Sequence, residues 1–164
     1  MRLADFEGCW QLSRKIDDRL LARIGSFEGE ARFAPGMGGL IYDETGALRF
    51  PGEAPLQAKR RYIWRETDSG IDVTYADGRE FHRFETGRAM SKAHHDCTPD
   101  TYLVTYDFTN WPDWSAEWQV SGPRKDYAMT TRYKRSGPFE ADGLDPQWID
   151  RNNLIPPRDV GPSA

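Results

Sequence analysis

The chain has 164 residues and a net charge of −4, with 22 basic and 26 acidic residues interspersed along it. That length is one domain with a real core, and the charge balance lacks the basic footprint of a nucleic-acid binder. No apolar run approaches the ~18 residues that a membrane-spanning helix needs.

The N-terminus MRLADFEGCW has no apolar run of signal-peptide length, so the sequence reads as soluble and cytoplasmic. Cys9 and Cys97 are then expected to be reduced. Aromatics make up 13% of the residues, with six Trp and seven Tyr, which favours strands around a bulky interior.

In chain order, period-two alternation marks 8–16, 26–34, 39–50, 56–66, 70–76, 79–86, 89–97, 101–108, 114–122 and 125–135. The breaks between them are rich in Gly, Pro and Asp. Eight to ten short strands at regular spacing predict an all-β fold, a single antiparallel up-and-down β-barrel. DDRLLARIG, 17–25, departs from the alternation, and Leu20, Leu21 and Ile24 predict a short helical segment after the first strand. Residues 1–135 form the predicted barrel domain. Residues 136–164 are polar, proline-rich and without period, an irregular C-terminal tail in which Asp145-Pro146 could start one helical turn and Trp148, Leu154 and Ile155 could dock on the barrel.

Hairpin turns predict which side chains face inward. Asp77-Gly78 read as a two-residue loop sets Tyr75 opposite Glu80, Val73 opposite His82 and Ile71 opposite Phe84. Glu80, His82 and Phe84 then point in, and Phe81 points out. A Gly87-Arg88 loop places Ser91, Ala93, His95 and Cys97 inside. A turn centred on Pro99-Asp100 sets Cys97 opposite Tyr102 and His95 opposite Val104, with Tyr106 and Phe108 also inside. His94 and His95 are adjacent on a strand, so they cannot hold one metal together. By the same alternation Arg14, Glu44 and Arg60 face inward from the other strands. Buried charges must be paired or functional, so this polar lining predicts a wet cavity.

Three chemistries fit such a lining. His82, His95 and a carboxylate could form a two-histidine, one-carboxylate metal site joined by Cys97, but the residues lack a short ligand spacing, and no metal is predicted. In the alternative, His82 and His95 are cavity histidines hydrogen-bonded to Glu80 and Tyr102. For catalysis the candidates are His95 as general base, Glu80 as its orienting partner, and Cys97 or Tyr102 assisting. For anion binding, Arg14 and Arg60 could clamp a carboxylate or phosphate, unless Arg60 merely pairs with Glu44. WPDW, Trp111 to Trp114, reads as core and loop plug, with a docking surface as the alternative. GMGG, 36–39, reads as a hairpin turn without the helix that a phosphate-cradling loop requires.

Gly8-Cys9-Trp10, opening the first strand, resembles the G-x-W signature of the calycin (lipocalin-like) barrels. That resemblance implies an arginine of the final strand packed over the Trp, and Arg132 in TTRYKR is the matching position. The wider string FEGEARF, ADGREFH, HHDCTPDTY, GPRKDY and TTRY resembles a bacterial domain family of unknown function over roughly residues 8–135. It brings no activity or cofactor; it implies a recurring pattern of Gly8, Trp10, His82, His95, Cys97, Asp100, Tyr102, Lys125, Asp126 and Tyr127.

The leading expectation is a small-molecule-binding barrel with a polar-aromatic cavity and an aromatic or anionic ligand. Its lining would be Arg14, Glu44, Arg60, His82, His95, Tyr102, Tyr106 and Trp118, with Trp10 and Arg132 structural. The cofactor is unknown; the expected partner is a small molecule, with neither nucleic acid nor membrane. The alternatives are a barrel enzyme using the His95–Glu80 pair and a protein-interaction module without a ligand.

Overall fold

The computed structural model describes residues 1–137. Ten strands follow in chain order: β1 Gly8–Asp18, β2 Arg23–Gly36, β3 Gly39–Arg49, β4 Leu56–Thr67, β5 Gly70–Tyr75, β6 Glu80–Phe84, β7 Met90–Cys97, β8 Asp100–Asp107, β9 Trp114–Gly122 and β10 Lys125–Gly137. The described residues contain no α-helix, only a 3-10 turn, Leu3–Phe6, ahead of β1. The first two residues of the expected tail, Ser136 and Gly137, continue β10; the remainder, with Asp145, Pro146, Trp148, Leu154 and Ile155, lies outside the described residues.

The strands form one antiparallel sheet in the order β6-β5-β4-β3-β2-β1-β10-β9-β8-β7. β6 and β7 lie side by side without a backbone ladder, so the barrel is nearly closed and keeps one seam. Two side chains bridge that seam. Ser91 Oγ accepts the Glu85 N–H at 2.9 Å, and the His95 ring packs edge-on against the Phe81 ring with centroids 5.1 Å apart.

No helix follows β1. Arg19 to Ala22 form a tight turn in which Asp18 Oδ1 accepts the Leu21 N–H at 3.1 Å, and the Arg19 and Leu20 N–H groups donate to the Asp126 carbonyl. Leu20, Leu21 and Ile24 are all exposed. An apolar stripe of three residues finds no surface there to bury itself against, so it cannot hold a helix that propensity alone leaves marginal.

The two ends of the barrel differ. At the end carrying Leu3–Phe6, Phe6 is fully buried among Trp64, Phe108, Trp111 and Trp114, with ring centroids 5.1–5.8 Å apart. Trp10, also fully buried, donates its indole N–H to the Phe6 carbonyl at 2.9 Å, and Trp114 stacks on Tyr133 at 3.6 Å. Burial of each such side chain contributes about 1.5–3 kcal/mol, so this plug anchors the fold. Trp111 packs on Phe6 and Trp10 as part of it.

The cation over Trp10 is Arg135, its guanidinium 4.6 Å from the ring. Arg132 instead stands exposed on β10, opposite Ser13. The expectation from the calycin resemblance is thus displaced by three positions. The uninterrupted register of the β1–β10 ladder, from Asp18–Tyr127 to Trp10–Arg135, places Arg135 opposite Trp10 and Arg132 opposite Ser13.

Candidate functional site

Arg14 on β1, Glu44 on β3 and Thr131 on β10 all point inward at mid-barrel, as alternation requires. The Arg14 guanidinium holds Glu44 in a bidentate pair at 2.6 and 2.9 Å, and its Nε–H donates to Thr131 Oγ1 at 2.7 Å. The Tyr42 hydroxyl adds a hydrogen bond to Glu44 at 2.7 Å. Burial opposes ionisation of Glu44, but the Arg14 guanidinium outweighs it and holds the carboxyl at a pKa of about 2. This pair is a completed structural unit with little left for a ligand.

Arg60 is different. It lies opposite Glu44 in the ladder, yet Glu44 is already taken. Among the described residues Arg60 makes no ion pair, and its charge acts on Glu44 and Tyr62. A half-buried guanidinium that acts on Glu44 through its charge but forms no ion pair among the described residues therefore lines the interior.

The cavity above the Arg14–Glu44 pair has a volume of about 50 Å³ and is half-enclosed. One water needs about 10–15 Å³ on that scale, so there is room for a few waters. Arg60, Tyr62, His82, Tyr106 and Trp118 are among its walls, with Phe81.

His82 sits in the polar part of that wall. Its Nε2 lies 2.8 Å from the Tyr106 hydroxyl. Its Nδ1 is buried and meets no hydrogen-bond partner among the described residues. Burial, with the neighbouring His95, lowers its pKa to about 3, so the ring is neutral near pH 7. The Tyr106 hydroxyl, itself buried, has His82 as its hydrogen-bond partner, and its proton must go somewhere. The arrangement that satisfies it has Tyr106 O–H donating to Nε2, which leaves Nδ1 carrying the ring proton. His82, whose ring lines the cavity, then carries a buried N–H donor without a partner among the described residues.

The two histidines do not share a site with Glu80. Tyr75 pairs with Arg79 through a backbone bond of 2.9 Å, one residue earlier than a two-residue loop would give, because Gly78 takes the left-handed conformation (φ +87°) within a longer turn. That flips the facing of Arg79 and Glu80. A bulge at Phe81 flips it back, so Thr74 pairs with Glu80 while Val73 pairs with His82. Glu80 is exposed on the outer surface, and Phe81 and His82 are both buried. The Glu80–His95 acid–base pair expected from alternation is therefore not formed.

The β7–β8 turn is one pair tighter than expected. Cys97 lies opposite Asp100 and His95 opposite Tyr102. A shift of two residues preserves facing. His95 is consequently inward but half-buried, with its ring against Phe81 and Tyr102, while Cys97 is exposed at the strand end. Tyr102 is buried in a separate cluster with Ile16, Val120, Tyr127 and Met129. Its hydroxyl accepts from Lys125 Nζ at 3.0 Å, and Lys125 pairs with Asp100 at 2.7 Å.

Of the predicted lining, Arg14, Glu44, Arg60, His82, Tyr106 and Trp118 meet at this cavity; His95 and Tyr102 lie beside it. No group of three or more His, Cys, Asp and Glu side chains able to hold a metal gathers among the described residues. Phe81 is the member that alternation misassigned. The available signal was energetic: the register that buries Glu80 and exposes Phe81 was the costlier one. Lys125 and Arg135 drew no such signal, because their roles depend on cross-strand neighbours.

A family model describing a family of unknown function (DUF6314) matches residues 6–135. The chain belongs to this family. No curated protein matches it. Among solved structures, the family member resembles the S-type phycobiliprotein lyase CPES from Guillardia theta, with 6% identity, a TM-score of 0.59, and coverage of 83% of this chain and 93% of that one. It is also matched to a putative AttH (NE1406) from Nitrosomonas europaea at 11% identity and a TM-score of 0.28, covering 84% and 52%. The first likeness shows a common barrel fold. Among the described residues no helix is long and apolar enough to cross a membrane.

Proposed function

We propose that this DUF6314 chain is a small-molecule-binding barrel of calycin type whose ligand enters the cavity and presents an acceptor oxygen, carboxylate or carbonyl, to His82. One observation carries the reading: His82 lines the cavity and its buried Nδ1 has no partner among the described residues, an arrangement that is costly unless something supplies an acceptor. Arg60 supports it, since a half-buried guanidinium that shares Glu44 with Arg14 and forms no ion pair among the described residues favours an anionic ligand. The fold shared with a protein named as a phycobiliprotein lyase is compatible with a ligand-binding barrel.

The reading is tested by native mass spectrometry of the protein purified from its source. A non-covalently bound mass that is lost in both His82→Phe and Arg60→Gln is the expected result. A bare chain mass, together with no thermal stabilisation by a panel of small carboxylates, would overturn it.

A further inference from the structure

Phe81 breaks the alternation of its strand. The bulge turns it into the barrel beside His82, where it is 5% exposed. Its ring lies nearly parallel to two other rings, Trp118 with centroids 5.3 Å apart at 4° and Tyr62 at 5.3 Å and 12°. A phenyl ring thus occupies a flat slot whose walls come from β4 and β9, and it reaches that slot from neither of them. The strand that carries it is an edge: β6 has a ladder only to β5, and its other side faces the seam with β7. Across that seam Phe81 meets the His95 ring edge-on, with centroids 5.1 Å apart. Phe81 can therefore leave the slot without breaking a ladder on the β7 side. A planar ring entering in its place would recover the stacking and apolar burial that Phe81 gives up. The cavity of about 50 Å³ is adjacent, lined by the Arg60 guanidinium and the His82 ring, and it offers room for an oxygen-bearing substituent on such a ring.

We propose that Phe81 is a displaceable internal plug, and that the Tyr62–Trp118 slot takes the ring of a planar aromatic carboxylate whose charged group meets Arg60 and His82. This rests on the ligand-binding reading and names its ligand class and its entry device. The ligand's ring replaces the Phe81 ring between Tyr62 and Trp118, and Phe81 moves out at the β6–β7 seam. No covalent step is involved.

The test uses the full wild-type chain labelled with 4-fluorophenylalanine and 2-naphthoate as the probe. The Phe81 fluorine resonance is identified by its loss in Phe81→Leu. If that variant does not fold, it is identified as the signal that loses its ring-current shift in Trp118→Leu. Saturating 2-naphthoate is expected to move this resonance to a solvent-exposed position, shown by a D₂O isotope shift, and Arg60→Gln is expected to weaken probe binding at least tenfold. Binding that leaves the Phe81 resonance unmoved overturns the plug while the cavity reading stands. Absence of probe binding up to millimolar concentration also overturns it, and the native-mass experiment then decides the ligand-binding reading separately.

Discussion

His82 Nε2 and the Tyr106 hydroxyl are 2.8 Å apart inside the barrel, joining β6 to β8 from opposite sides of the seam. The bond occupies one imidazole nitrogen of a ring that lines the cavity and leaves the other buried without a partner among the described residues. Burial, more than this bond, keeps the histidine neutral, and that has a consequence for stability against pH.

The His82 pKa falls from an ordinary 6.5 to about 3 in the folded protein. The unfolded chain then takes up a proton between those values that the folded chain refuses, so stability is lost as pH falls from 6.5 towards 3. The slope from this one group approaches about 1.4 kcal/mol per pH unit. In His82→Asn, urea denaturation between pH 6.5 and 4.5 should show a flatter dependence than wild type. Equal slopes would mean that His82 does not resist protonation in the barrel.

Glu44 and Arg14 form the buried ion pair. Removing one partner leaves an uncompensated buried charge, so Glu44→Gln should destabilise by about 3–5 kcal/mol. The double variant Arg14→Met/Glu44→Leu should recover most of that loss, because apolar residues of similar size carry no desolvation cost. Chemical denaturation of the three chains measures it, and a double variant as unstable as the single would contradict the account. The folded carboxyl sits near 2 against an ordinary 4.5, so the contribution of this pair is present above about pH 4.5 and declines as pH falls towards 2.

Arg135 lies over Trp10 and donates to the carbonyls of Asp5 and Glu7, tying the end of β10 to the 3-10 turn. Arg135→Ala should cost about 1 kcal/mol, the range of a partly exposed cation–π contact with its accompanying hydrogen bonds. Arg132→Ala, an exposed substitution, should stay within about 0.5 kcal/mol. Thermal melts of the two variants side by side separate the assignments, and the reverse order would restore Arg132 as the partner of Trp10.

Gly122 lies under the Asp100 carboxylate, and a Cβ there would collide with it. Gly122→Ala should push Asp100 off Lys125 and lower the melting temperature by several degrees, through a loss of about 1–2 kcal/mol. Asp100→Asn/Gly122→Ala should cost less than the sum of its single substitutions, since both act on one contact. Strict additivity would place the damage elsewhere.

Much of the barrel was legible in the residues. Each alternating run became a strand, and the inward facing of Arg14, Glu44, Arg60, His82 and Tyr106 followed from parity, because a strand buries every second side chain whatever its partner. The two-residue error at the Thr98-Pro99 turn did no harm to that reading, because it is even. The one-residue error at Gly78 exchanged Glu80 for Phe81, because it is odd, until the bulge restored His82.

By itself the sequence determined an all-β chain with ionisable groups turned towards its middle, since alternation and turn chemistry are local properties. Only the tertiary structure decided which of those groups are spent on each other and which are left over. Arg14 rather than Arg60 holds Glu44, Arg135 rather than Arg132 covers Trp10, and Phe81 rather than Glu80 fills the interior. Such choices depend on distances between strands far apart in the chain, where burial, charge pairing and a single extra residue compete within a few kcal/mol.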